Sequence, residues 1–266
     1  GRRADVVLVF GLVGQPKVAN IAALQAEGYE VALCLEWWDS AKTVRDPRFT
    51  LAAIAAGSHD AAAARWWQEL ATLDRPVHLR PLHEGNGDWY PWGVKNGLNR
   101  TADYIPAFRR VAEQARSIAG DNVRIQWCVN RLSAGTPPVP FAAIYPGGDW
   151  VDELVVNGYN RPEHRSTTSF EALFRPAFTE LKGYDSNKPF WIGETASTDK
   201  RGDKAAWIDG MYRTVRTTMA VDVLTWFHQR VERPNDSRDW PFDTSAAALA
   251  SIRLPSRNVP SPIAAQ

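Results

Sequence analysis

The 266 residues, 44% of them hydrophobic, can build a substantial core without a disulfide scaffold and fit one α/β barrel. With 31 basic residues against 30 acidic, the chain carries no net field that would draw nucleic acid or an anionic membrane. No apolar run approaches the ~18–20 residues that span a bilayer.

The chain opens GRRADVVLVF, with no signal peptide in view, and the expected location is extracellular with any secretion signal already removed. Apolar runs of strand length then alternate with helical patterns. The predicted strands are VVLVF (6–10), VALCLEW (31–37), VHLRPL (77–82), RIQWCV (124–129), ELVVNGY (153–159), PFWIGE (189–194) and VLTWF (223–227). Between or after them come the helical stretches PKVANIAALQAEG, HDAAAARWWQELATL, YIPAFRRVAEQARSIAG, SFEALFRPAFTELKGY, KAAWIDGMYRTVRTTMA and TSAAALASIR. This alternation predicts a parallel sheet covered by helices, an α/β fold of the (β/α)8 TIM-barrel kind over residues 1–254. Residues 255–266, rich in Pro and Ser, read as a tail or linker and hint at a neighbouring carbohydrate-binding module outside this chain. Seven strands are visible where a closed barrel has eight. Cys34 and Cys128 lie inside apolar strands and read as buried thiols.

Chemistry gathers at the C-terminal ends of these strands, which a barrel brings to one face. They carry Glu36-Trp37-Trp38, His83-Glu84, Asn130-Arg131, Asn157 with Tyr159, Glu194, and Trp226 with His228. Glu84 and Glu194 each close a strand before a polar loop, the placement expected of paired carboxyl groups that cleave a glycosidic bond. A lone strand-end Glu is more often a solvated surface residue. Two in aromatic surroundings favour catalysis.

Twelve tryptophans are many for this length, and some indole faces should be exposed to meet the C–H faces of sugar rings. Trp37, Trp38, Trp89, Trp92 and Trp226 sit at strand ends or in following loops and are candidate ligand contacts. Trp66, Trp67, Trp127, Trp191 and Trp207 read as packing. His164 and His228 stand evenly between surface imidazoles and site residues. Asn130 either contacts sugar or caps the next turn. His78 and His83 lie five apart, which on a regular strand sends them to opposite faces and argues against a shared metal. No metal-ligand, phosphate-loop or nucleophile-elbow motif is present, and no cofactor is expected.

The stretch RPLHEGNGDWYPWG (80–93) resembles the acid-bearing motif of glycoside hydrolase family 26, the β-mannanase family of the retaining (β/α)8 clan. YPGGDWVDELVVNGYN, PFWIGETAST, VLTWFHQR and IAAGSHDAAAARWWQEL resemble further segments of that family, so the likeness covers nearly the whole chain. The resemblance implies that Glu84 is the general acid/base and Glu194 the nucleophile. It implies that Arg80 and His83 hold sugar hydroxyls and the nucleophile's surroundings, and that Trp89 lines the leaving-group side. It further implies that Tyr159 hydrogen-bonds the nucleophile and Trp226 floors the subsite of the attacked sugar. The expected reaction is endo-acting, retaining cleavage of β-1,4-mannan. Mixed-linkage β-glucan or β-xylan, or a non-catalytic carbohydrate-binding barrel, are the alternatives.

Two departures stand out. Gly85 replaces the family's Met and is expected to open space beside the acid. The acid falls on the third visible strand and the nucleophile on the sixth, one earlier than in the family, so VVLVF reads as strand two of a barrel lacking its first strand. Retaining chemistry further requires the Glu84 pKa to lie well above that of Glu194.

Overall fold

The computed structural model describes residues 4–132, 135–161, 168–199, 202–231 and 238–252; His164 and the 255–266 tail lie outside them. Seven strands form where the apolar runs fall: β1 (Val6–Leu12), β2 (Glu30–Glu36), β3 (Val77–Pro81), β4 (Val123–Asn130), β5 (Glu153–Asn160), β6 (Phe190–Ser197) and β7 (Val223–Trp226). They pair in sequence order, every pair parallel. The helices are α1 (Val18–Ala26), α2 (Leu51–Ala55), α3 (Asp60–Leu70), α4 (Tyr104–Ala119), α5 (Phe170–Tyr184), α6 (Lys204–Thr217) and α7 (Ala246–Ser251). A two-residue antiparallel ribbon, β8 (Arg230–Val231) with β9 (Arg238–Asp239), follows β7.

Each helix forms for a local reason. On α4 the buried residues Tyr104, Ala107, Phe108, Val111, Ala112, Ala115 and Ala119 recur every three or four positions, an apolar stripe that lies on the sheet. Gly120 ends it at φ 57°, a left-handed conformation that Gly adopts without a Cβ clash. Ser169 and Asp203 cap α5 and α6 by accepting from Ala172 N and Ala206 N, each worth ~1 kcal/mol.

The sheet curls so that its two faces differ. The outer face, with Leu33, Leu79, Ile125, Leu154 and Ile192, packs under the helices in the main core. The inner face holds a small apolar cluster of Ala32, Cys128, Val155 and Trp191, against which Val6 and Leu8 of β1 and Val223 of β7 also pack. Both edge strands thus reach the same interior, yet no strand pairs them among the described residues. The barrel is incomplete, as the count of apolar runs implies. Its edge is visible in burial: every residue of β6 is buried, whereas β1 is mostly half-exposed and Phe10 is 43% exposed. Cys34 and Cys128 are free and buried, as expected.

Candidate active site

Regular alternation along β6 would turn Glu194 outward, because Trp191 already faces inward. A register shift prevents this: Val156 pairs with Ile192, but the next residue, Asn157, pairs with Glu194, leaving Gly193 as the extra residue. The bulge swings the Glu194 side chain into the barrel. A Cβ on Gly193 would collide with Val155 and lie 2.7 Å from Arg80 Nη1, so the bulge requires glycine.

Glu84 reaches the same interior by a different device. After β3 ends at Pro81, Leu82 and Glu84 take φ values of 46° and 54°, a left-handed conformation that costs a non-Gly residue on the order of 1 kcal/mol or more. Glu84 N donates to Cys128 O at 2.8 Å and fixes the turn to β4. The turn also corrects the expectation for the two histidines. His83 is carried inward, with a ring nitrogen within 4.8 Å of donor atoms on Cys34 and Glu194, so His78 and His83 both face the interior at different heights.

The two carboxyl groups meet across one side chain. Asn157 Nδ2 donates to Glu84 Oε1 at 2.8 Å and to Glu194 Oε1 at 3.0 Å. Because one nitrogen reaches both, these oxygens lie closer than the ~6.5–9.5 Å of inverting pairs and suit the ~5–5.5 Å of retaining ones. Tyr159 donates its hydroxyl to Glu194 Oε2 at 2.6 Å, and Arg80 Nη1 stands 3.8 Å from Glu194 Oε1. Trp89 Nε1 donates to Glu84 Oε2 at 2.7 Å. Sequence reasoning noted Asn157 at its strand end and gave it no task; its inward register against Glu194 was the missing signal.

Burial pushes both carboxyl groups up. Glu194 rises to about 7, with the adjacent Glu84 charge adding to burial and Arg80, Tyr159 and Asn157 opposing them. Glu84 is raised by burial against hydrogen bonds from Asn157, Asn130 and Trp89. The expectation sets Glu84 well above Glu194. Burial raises both, and the two carboxyl groups lie close enough to titrate as a pair.

The aromatic expectations divide. Trp89 lies directly on Glu84. Trp37 and Trp92 are 1% and 0% exposed and belong to the main apolar core. Trp92 stacks on Tyr90 at 4.5 Å and donates to His83 O at 2.8 Å. Trp38 meets Tyr90 and Trp92 edge-on, with Lys42 5.0 Å from its ring. Thr225 bonds Gly193 O inside the barrel, so alternation sends Trp226 outward, where its ring packs on Trp207 of α6 and its Nε1 donates to Trp240 O. The indole that meets Tyr159, 5.1 Å between centroids, belongs to Trp240, a residue the sequence did not single out. Nine of the twelve tryptophans are buried and Trp89, Trp150 and Trp226 are half-buried, so the expected freely exposed indoles are absent.

Asn130 serves as the cap: its Oδ1 accepts from Leu132 N and its backbone pairs with the Asn86 amide, while its own amide bears on Glu84. Trp66 and Trp67 pack and bond Leu12 O and Gln114 Oε1. His228 lies 41% exposed near Asp243 and Phe242, away from the pair's hydrogen bonds. Gly85 opens no space beside the acid. A Cβ there would strike the buried Tyr104 ring, whose hydroxyl donates to Leu82 O at 3.0 Å. Cys34, His83 and Glu194 offer donor atoms within 4.8 Å of one another, but Arg80 Nη1 lies 3.7 Å from Cys34 Sγ and 3.8 Å from Glu194, a positive charge set against any cation there.

A curled parallel sheet with a carboxyl pair inside the C-terminal ends of its strands defines a barrel of the glycosidase kind. Residues 38–183, more than half of the chain, match the model of Glycosyl hydrolase family 26, and the chain belongs to that family. It is 35% identical over 204 residues to endoglucanase H of Acetivibrio thermocellus, which covers 74% of this chain and 22% of that protein. It is 25% identical over 139 residues to a mannan endo-1,4-beta-mannosidase of Bacillus subtilis, covering 51% of this chain and 34% of that protein. Both relatives are therefore much longer than the segment they share with this chain. The solved Bacillus subtilis mannanase man26 matches its fold with a TM-score of 0.63 over 94% of this chain and 76% of that one, at 18% identity.

Proposed function

We propose that the protein is an extracellular, endo-acting, retaining β-glycoside hydrolase in which Glu84 is the acid/base and Glu194 the nucleophile. The observation that carries this reading is the single Asn157 amide nitrogen within 3.0 Å of both carboxyl groups. Glu84 donates its proton to the leaving-group oxygen as Glu194 attacks the anomeric carbon. Arg80 and the Tyr159 hydroxyl favour the charged form of Glu194 for that attack. Once the glycosyl ester forms, the Glu194 charge is gone, the Glu84 pKa falls, and Glu84 takes a proton from the incoming water.

His83 stands as a neutral ring behind the carboxyl pair. It is fully buried, burial and the Arg80 and Lys42 charges lower its pKa to about 3, and neither ring nitrogen has a partner among the described residues. Its ring packs against Tyr90 and Trp92.

For the substrate, β-1,4-mannan is the family-based expectation and agrees with the likeness to the Bacillus subtilis mannan endo-1,4-beta-mannosidase. A β-glucan is the second reading, favoured by endoglucanase H, whose similarity extends over 74% of this chain. Reducing-sugar release on mannan, β-glucan and xylan side by side decides among them. The mechanism is tested by Glu194→Ala on an aryl β-glycoside: turnover should fall by ~10⁴-fold or more, and added azide should restore it. Intact turnover, or no rescue by azide, removes Glu194 as nucleophile.

A further inference from the structure

Beneath the carboxyl pair the barrel interior holds a line of polar side chains with no place in the chemistry above. His78 on β3 is 6% exposed, Glu153 on β5 is 4%, and Gln126 on β4 is fully buried. Apolar side chains would fill this space at less desolvation cost.

The contacts run in one direction. At the half-exposed start of β2, Glu30 Oε2 lies 3.6 Å from His78 Nε2. His78 Nδ1 meets Glu153 Oε1 at 2.8 Å. Glu153 Oε2 accepts from Gln126 Nε2 at 2.6 Å, and Gln126 Oε1 accepts from Arg80 Nε at 2.8 Å. Arg80 Nη1 then donates to Gly193 O at 3.2 Å and faces Glu194. The Gln126 amide has no freedom here. A guanidinium only donates and a carboxylate only accepts, so the oxygen must face Arg80 and the nitrogen Glu153. Arg80 cannot turn without breaking that bond.

We infer that Glu153, braced by His78, acts through the Gln126 amide to fix the Arg80 guanidinium beside Glu194, making His78, Glu153 and Gln126 positioning residues for the nucleophile. The inference rests on the nucleophile reading above. Burial alone would lower the His78 pKa, but the hydrogen bonds and charges of Glu153 and Glu30 raise it to about 9, so the brace is charged at neutral pH. The other groups facing Glu194 are Glu84 beyond β3, Tyr159 on β5, Tyr90, Cys34, Cys128 and His83. Of all these, Arg80 alone carries a fixed positive charge.

The test is the pH profile of kcat/KM in Glu153→Gln and Gln126→Met, the second entering from the opposite end should the first not fold. A loosened Arg80 withdraws its charge, the Glu194 pKa rises, and the acidic limb moves to higher pH by ~0.5 unit or more, with kcat falling more than KM changes. Trp191→Phe is the control. Its ring lies 4.5 Å from His78 but outside the hydrogen-bonded line, so it should lower the melting temperature and leave the limb in place. An unmoved limb in a folded Glu153→Gln or Gln126→Met variant overturns the inference, as does an equal shift in Trp191→Phe. Glu194→Ala separates the two readings: if it is inactive while the limb stays put, only the positioning line fails.

Discussion

His78 and His83 stand five residues apart, one at the floor of the barrel and one at its rim, and their surroundings are opposite. At the floor His78 lies between Glu30 and Glu153, and Gln126 satisfies the far side of Glu153. At the rim both nitrogens of His83, Asn157 Oδ1, Thr195 Oγ1 and Trp38 Nε1 are buried without a partner among the described residues. Each such group costs ~1–3 kcal/mol. Two further residues there, Leu82 and Glu84, hold left-handed backbone. Unpaired buried polar atoms and left-handed backbone thus occur together at the rim beside the carboxyl pair. The paired floor holds the shape against which that strain is kept.

Substitutions at the rim should therefore change turnover more than stability. The largest effect is expected from Glu84→Ala, which should lose ~10²–10⁴-fold on polysaccharide while largely sparing a glycoside with a good leaving group. Equal losses on both substrates would remove Glu84 as the acid. Tyr159→Phe deletes a 2.6 Å bond to Glu194 and should lower kcat by about 10–100-fold, with the acidic limb of the pH profile moving up. A fall in melting temperature with kcat unchanged would reassign Tyr159 to packing. Gly193→Ala tests the boundary between the regions. The new methyl meets Val155 and Arg80, so ~1–3 kcal/mol of stability should be lost in urea unfolding, together with activity as Glu194 swings from its register. Full stability would mean that the bulge relaxes freely.

The legible and illegible parts of this fold differ in physical kind. The strands and α1, α3, α4, α5 and α6 were readable because apolar periodicity is set by burial, and burial on a parallel sheet is extensive. The short α2 and the β8–β9 ribbon bury too little to leave a pattern. The identity of the carboxyl pair was readable from the motif around Glu84 and the strand end at Glu194. Its aim was not: a regular period places Glu194 outside and His83 opposite His78, and only the bulge at Gly193 and the turn at Leu82 reverse this. Trp37 and Trp92 mislead because a strand-end indole looks the same in sequence whether it faces a ligand or packs in the core. Trp240 escaped notice because it lies beyond β9, in a segment with no periodicity; its carbonyl accepts from Trp226 and its ring lies on Tyr159.

The smallest expected effect uses the two histidines themselves. His78 is raised from its ordinary 6.5 to about 9, so its contribution to stability is complete below pH ~6.5 and disappears as the pH rises through about 9. His83 is lowered to about 3, so its contribution is present above pH ~6.5 and is lost as the pH falls toward 3. In urea unfolding across this range, His78→Gln should flatten the alkaline side of the stability curve and leave the acid side alone. His83→Phe, which can lie against Tyr90 and Phe10, should flatten the acid side only. The two limbs are separable because the causes are: opposite charges surround one ring, and the other is desolvated beside Arg80. Variants whose curves ran parallel to the parent at both ends would mean that floor and rim do not differ in the way their hydrogen bonds require.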